Sequence, residues 1–402
     1  MFWRYWTGST ISGLGTAVTS VALPLTAVLV VHASAFSVAA IAAAGGVPWL
    51  VLGLPAGVFV ARLPLHATQV AMDLLRAAAI GSVPVVYWAG VLTVAQLIGV
   101  ALVVGSASVI FAVANSTMIP AIVPRDELIK RNSFMYASRG VAQLAGPGLG
   151  GVLVDVMGAA SCMVLDAASY VASAVVLWAL PRPERLPPTE RPAEPAIRQQ
   201  ISDGIAFIGG QPVLRACFLL ATAANFVGPA ILTLTPLYVV RTLHEHAYVL
   251  GLVYAAEGAG ALVGASLTPR LTEAWGSARV VLRCSLPVPV VLLLLPLAFK
   301  GWGASLYGLG IFGFTATLSI VGISVNTNQH RAVPNELLPR VLATTRFVTS
   351  GGAPLGALLA GGLATAFGVR AALVVVAALG LATPLSTWTS RELRRRINLE
   401  DQ

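Results

Sequence analysis

Gly146-Pro-Gly-Leu-Gly-Gly-Val-Leu-Val-Asp-Val-Met-Gly158 is answered 210 residues later by Gly356-Ala-Leu-Leu-Ala-Gly-Gly-Leu-Ala-Thr-Ala-Phe-Gly368. The same ungapped register sets Gly151 on Gly361, Val123-Pro124 on Val333-Pro334 and Trp178 on Trp388. The matched segments are long and apolar. A chain whose last third repeats part of its first half in such segments reads as a membrane protein built from two related halves, and function then belongs between them.

Composition points the same way. Of 402 residues, 57% are hydrophobic and only 10% charged, and the mean hydropathy is +0.83, which leaves too little polar surface for a water-soluble domain. Alternation with period two is absent, so the backbone must satisfy itself as helices rather than as a barrel. Windows of about 20 residues give twelve expected spans: 8–31, 37–60, 68–89, 92–118, 133–155, 160–180, 213–240, 249–269, 280–299, 302–326, 342–366 and 370–390. The expected architecture is an all-α membrane protein of two pseudo-symmetric six-helix bundles. Residues 1–180 form the first bundle, 181–212 a linker, 213–390 the second bundle and 391–402 a tail.

The basic residues orient it. With a cytoplasmic N-terminus the inner segments hold Arg4, Arg62, Arg125, Lys130, Arg131, Arg182, Arg270, Arg279, Arg340 and the Arg394–Arg396 tail, whereas the outer loops hold only Arg241, Lys300 and Arg370. This bias places both termini inside. It also accounts for the net charge of +9 without nucleic acid, for which no basic stripe with interleaved aromatics exists. The linker Pro181–Pro195 is rich in proline and mixed charge and reads as extended and solvated; Ile197, Ile201, Ile205 and Ile208 after it have the spacing of a short amphipathic surface helix. Cys162, Cys217 and Cys284 lie in or beside spans without ligand spacing and read as small buried hydrophobes. His244-Glu-His246 reads as a solvated outer turn, so no metal site is expected.

In the fifth span, Pro147 removes a backbone donor while Gly146, Gly148, Gly150 and Gly151 leave a smooth face that another helix can approach closely. Gly-Pro-x-x-Gly-Gly in the fifth of twelve helices resembles the antiporter motif of drug exporters in the major facilitator superfamily. Within it the chain looks most like the group of macrolide and enterobactin exporters. The resemblance covers the whole chain, including the central linker and Val123-Pro-Arg-Asp-Glu-Leu128, echoed by Val333-Pro-Asn-Glu-Leu337. Ala142 stands where the motif usually has glycine. The loop after the second span departs further, with Ala61 in place of the usual aspartate before Arg62. In the family that aspartate joins a gating charge network; here Arg62 would turn to another acid such as Asp73, with Arg76 beside it and Arg139 in the fifth span as further gating residues.

Glu257 in the eighth span precedes Gly260 and Gly264 by three and seven residues, on one helical face. A carboxylate at membrane depth is a functional hypothesis by default, and Glu257 is the first candidate for proton coupling, followed by Asp166 and Asp155. The family fold implies that the eighth helix meets the fifth, so that Glu257 faces the central cavity, where Arg139 could neutralise it. Gln143, Asn225, Tyr254 and Asn326 are candidate cavity residues, with Phe111, Tyr136, Phe226, Tyr238 and Phe314 as aromatic candidates.

No span offers a convergent catalytic set, and no phosphate-binding loop is present, so neither an enzyme nor direct ATP drive is expected. The resemblance implies a monomeric exporter of an amphiphilic small molecule, working by proton antiport with alternating access and needing no cofactor beyond the proton gradient. Its partners would be that small molecule and the lipid bilayer. Arginine far outnumbers lysine, a composition of high-GC bacteria, so the expected site is a bacterial inner membrane. A proton-coupled importer and a non-transporting membrane sensor are the alternatives.

Overall fold

The computed structural model describes residues 1–53, 55–124, 126–180, 206–333, 338–381 and 384. The linker, the proposed surface helix up to residue 205 and the tail lie outside them. Among the described residues the chain is helical, without strands. It divides into two compact units: Met1–Arg191 with Val239–Ala255, and Pro192–Tyr238 with Ala256–Gln402.

In the first unit α1 (Phe2–Leu25) runs into a π-helical turn, Thr26–Val30, and α2 (Ala35–Leu52), α3 (Ala56–Arg62), α4 (Leu65–Trp88), α5 (Val94–Ile122), α6 (Leu128–Met157) and α7 (Met163–Trp178) follow. The second unit contains α8 (Pro212–Pro236), which enters the π-helical turn Leu237–Thr242. It continues with most of α9 (Ala247–Trp275), α10 (Ser277–Ser285), α11 (Val288–Leu297), α12 (Ala304–Ala332), α13 (Leu338–Phe367) and α14 (Val369–Leu379). Among the described residues ten helical stretches are long and apolar enough to cross a bilayer, α10 and α11 counting as one, Arg279–Leu297. At the expected sixth and twelfth spans stand two shorter apolar helices, α7 and α14.

The sequence repeat reappears as repeated geometry within each unit. Helix α1 packs on α6, and α8 on α13. Gly146 and Gly356 make the two contacts possible: a Cβ at Gly146 would strike the Ala17 side chain, and one at Gly356 the backbone of Phe226. The turns that close α6 and open α14 use glycine at φ +84° (Gly158) and +85° (Gly368), a region closed to most side chains. Prolines explain the paired π-turns: Pro24 and Pro236 lie just before them and withdraw a backbone donor from the ladder.

Elsewhere, capping is ordinary. Ser34 and Thr93 hydroxyls accept the N–H of Ser37 (3.2 Å) and Gln96 (3.3 Å) at the starts of α2 and α5. Exposed tryptophans cluster at helix ends, at Trp88, Trp178 and Trp302, where a bilayer presents its polar boundary.

Candidate functional site

A cavity of about 410 Å³ opens within the second unit between α8, α9, α12 and α13. Glu257 of α9 reaches it together with Asn225 of α8, Asn326 and Thr315 of α12 and Thr345 of α13, and the remaining described lining is apolar, with Phe314 its aromatic member. The approach of α9 to α12 is set by glycine. A Cβ on Gly260 would meet Phe312 and Thr315, and one on Gly264 the backbone of Ala316. The Thr315 hydroxyl donates to the Glu257 carbonyl at 2.9 Å and locks that register. The glycine face of α9 is therefore seated on α12, and the carboxylate beside it looks into the cavity. One acid among carboxamides and apolar walls can hold a proton or the cationic end of an amphiphile, and the carboxamides can order polar groups around it.

A second, smaller cavity of about 230 Å³ belongs to the first unit, between α5 and α6. Asn115 and Ser116 of α5 face Asn132, Tyr136 and Arg139 of α6 there. Gln143 and Tyr254 line neither of these two cavities.

Helix α6, which carries Gly-Pro-x-x-Gly-Gly, meets the start of α9 inside the first unit. A Cβ on Gly151 would lie 2.6 Å from the Ala247 carbonyl oxygen, and one on Gly251 2.6 Å from that of Pro147. Gly150 sits against Val18 of α1. Two charges fasten the same region. Both Asp155 oxygens accept backbone N–H groups at the start of α9, from Ala247 at 3.1 Å and Tyr248 at 2.9 Å. Arg241 donates to the carbonyls of Val28 (2.9 Å) and Ala33 (2.7 Å), where α1 ends. In the second unit Arg370 does likewise, donating to the Ala298 carbonyl at 2.9 Å and the Tyr238 hydroxyl at 3.1 Å. Two of the three arginines and lysines expected in outer loops are thus engaged with helix-end carbonyls, the favourable place for a cation.

Of Asp73 and its expected partner Arg62, only the Asp73 side chain lies within the described residues. It pairs with Arg76 one turn along α4, and the pair is enclosed in the first unit: Asp73 is 0% and Arg76 6% exposed. Asp166 of α7 is buried in the same interior and accepts from the Ser169 hydroxyl at 3.2 Å. Among the described residues no group of three His, Cys, Asp or Glu side chains is gathered as for a metal ion. Sequence reading missed Gly251, whose partner is another backbone, and the hydrogen-bonded set Tyr5, Gln69 and Asn115, whose members sit on three different helices.

Repeated apolar sequence halves, a glycine-seated helix α9 and a largely apolar cavity reached by Glu257 define a multi-pass membrane transporter of the major facilitator superfamily. The chain belongs to that superfamily's transmembrane secretion effector family, whose model matches residues 1–397. It is 28% identical over 384 residues to the multidrug efflux pump Tap of Mycolicibacterium fortuitum, covering 90% of this chain and 88% of that one. Its fold is similar to that of the nucleoside transporter NupG (TM-score 0.79, 10% identity, 97% of this chain and 98% of that one). It is also similar to that of a D-xylose-proton symporter (TM-score 0.73, 14% identity, 96% and 97%).

Proposed function

We propose that this protein exports an amphiphilic small molecule across a bacterial inner membrane in exchange for protons. The observation that carries the reading is the placement of Glu257, the one carboxylate among the described residues that line this largely apolar cavity, beside Asn225 and Asn326. The likeness to an efflux pump along nearly the whole chain supports the outward direction; the two transporters of similar fold support the architecture alone.

In this reading twelve helices cross the membrane as two bundles, with both termini in the cytoplasm, and α7 and α14 are the two short crossings. The bundles rock about a central site and expose it alternately to either side. Protonated, Glu257 is neutral and releases the substrate's polar or cationic end; ionised, it attracts that end. The protein works as a monomer, with the proton gradient as its only co-reactant. Arg62 and Arg139 are gating residues, and Gly146, Pro147, Gly150 and Gly151 give the close helix packing that keeps the site from leaking.

The test is uptake of a fluorescent cationic amphiphile into inverted membrane vesicles with an imposed pH gradient, for the native chain and Glu257→Gln. Gradient-driven uptake that the variant loses is the expected result. Undiminished uptake by Glu257→Gln would remove the coupling assignment, and accumulation only with the reversed gradient would make the protein an importer.

A further inference from the structure

The interior of the first unit holds charges that the Glu257 cavity does not use. Asp73 and Asp166 are both 0% exposed and Arg76 6%. The Arg76 guanidinium is packed between two rings, with its carbon 4.2 Å from the Phe111 centroid and 4.4 Å from that of Tyr170. It also pairs with Asp73 Oδ1. Gly15 brings the backbone of α1 down on the other acid: a Cβ there would strike Ser169 Oγ and lie 2.5 Å from Asp166 Oδ1. Asp73 Oδ2, Asp166 Oδ2 and Arg76 Nε have no hydrogen bond of good geometry, although the hydroxyls of Ser173 and Thr19 stand beside the two carboxyls.

The charge count decides what this cluster must do. A guanidinium stays charged in any protein environment. Two ionised carboxylates against it would leave one net negative charge in a dry helical interior, which is costly without a partner. One proton shared by the two carboxyls makes the cluster neutral, and the two unpartnered oxygens are where it can sit. The other titratable groups facing the cluster are Tyr5 on α1, Tyr170 on α7, Cys162 just before α7 and, through its charge on Tyr5, Arg139 on α6. Among them only Arg139 is a cation, and it lines the open cavity.

Polar side chains lead from that cavity towards the cluster, ending at Gln69, whose Oε1 has no hydrogen-bond partner. The Tyr5 hydroxyl donates to Asn115 Oδ1 and accepts from Gln69 Nε2 at 3.3 Å. Asn115 lines the Arg139 cavity, and Gln69, fully buried, lies one helical turn before Asp73.

We propose that Asp73, Arg76 and Asp166 form a one-proton site in the first unit, distinct from Glu257 and reached from the Arg139 cavity along Asn115, Tyr5 and Gln69. The site binds a proton from water in that cavity, and no other bond changes. The assignment does not depend on the direction of transport or on the substrate.

Infrared spectroscopy of the full-length protein in an alkyl maltoside detergent, which carries no ester carbonyl, at neutral pH tests it, since surface carboxylates are ionised there and only a held proton gives the carboxylic-acid C=O band. In a Glu257→Gln protein one such band is expected. Asp166→Asn or Asp73→Asn, each added to Glu257→Gln, should abolish it, because either leaves one carboxylate against one guanidinium. Arg76→Gln should double it, a change that loss of folding cannot imitate. Tyr5→Phe should leave the band in place and slow its shift on transfer to heavy water. No band in Glu257→Gln, or a band that survives both aspartate substitutions, would overturn the site; unchanged deuterium exchange in Tyr5→Phe would overturn the route.

Discussion

Asp155 receives the backbone N–H of Tyr248 at 2.9 Å through one carboxylate oxygen, and its other oxygen takes the N–H of Ala247 at 3.1 Å. These amides belong to the first turn of α9, where four donors lack partners within the helix. An acid from α6, more than ninety residues earlier, thus acts as a cap for α9, with its charge at the favourable end of the helix dipole. A carboxylate held this way is occupied by two donors, in contrast to Glu257, whose surroundings are mostly apolar.

Asp155→Ala should therefore lower the thermal stability of the purified protein by about 0.5–2 kcal/mol, the usual cost of a lost helix cap. Asp155→Asn should recover much of that, because a carboxamide oxygen still accepts. Gradient-driven uptake in inverted vesicles should persist in Asp155→Asn and vanish in Glu257→Gln. The reverse pattern would make Asp155 the coupling acid.

Arg241 is the complementary case at a helix end. Its two bonds to the Val28 and Ala33 carbonyls finish the π-helical end of α1, where the ladder has left acceptors open. Hydrogen bonds from a charged donor contribute ~1.5–3 kcal/mol, so Arg241→Met should give a clear drop in melting temperature. Arg241→Lys should give a smaller one, keeping the charge but not the fork. Equal losses for the two variants would show that the guanidinium geometry contributes nothing.

The close approach of α6 and α9 gives a packing prediction. Side chains at Gly151 and Gly251 would run into backbone at 2.6 Å, and backbone cannot step aside as a flexible side chain can. Gly151→Val and Gly251→Val should each destabilise by ~1–3 kcal/mol through overpacking. Gly140→Ala, on the same helix but with open space where the methyl would go, should be close to neutral. A melting curve of each variant decides it.

Much of this was legible in the sequence because the bilayer makes strong demands. Apolar runs mark the helices, the 210-residue register shows the two halves, and Gly-Pro-x-x-Gly-Gly marks a helix that another must approach. The site was legible in part. Glu257 stands out because an acid at membrane depth needs a reason, and Asn225 and Asn326 line its cavity. What periodicity could not supply is which helix each face meets. Gly260 and Gly264 seat α12, and the close partner of the α6 motif is Gly251, one more small residue in an apolar run without any signal of its own. Asp73 pairs within its own helix, at a spacing of three that the sequence contains but does not distinguish from a longer-range partner. Arg241 and Arg370 count as loop charges until the carbonyls they reach are known.

The carboxamides of the Glu257 cavity separate recognition from coupling. Asn225 donates to the Ala221 carbonyl at 2.9 Å, which leaves its oxygen to accept from a ligand, while Asn326 lines the same cavity from α12. Neither carries charge, so replacing either by leucine leaves the protonation of Glu257 as the coupling event and removes one neutral hydrogen bond of ~0.5–1.5 kcal/mol. Asn225→Leu and Asn326→Leu should therefore raise the apparent KM up to about tenfold for compounds with polar groups near the cationic centre. Simple apolar cations should be carried almost as before, and both variants should remain dependent on the pH gradient. The measurement is a panel of dyes of graded polarity in inverted vesicles. A uniform loss across the panel would mean that the two side chains hold the cavity together rather than read what enters it.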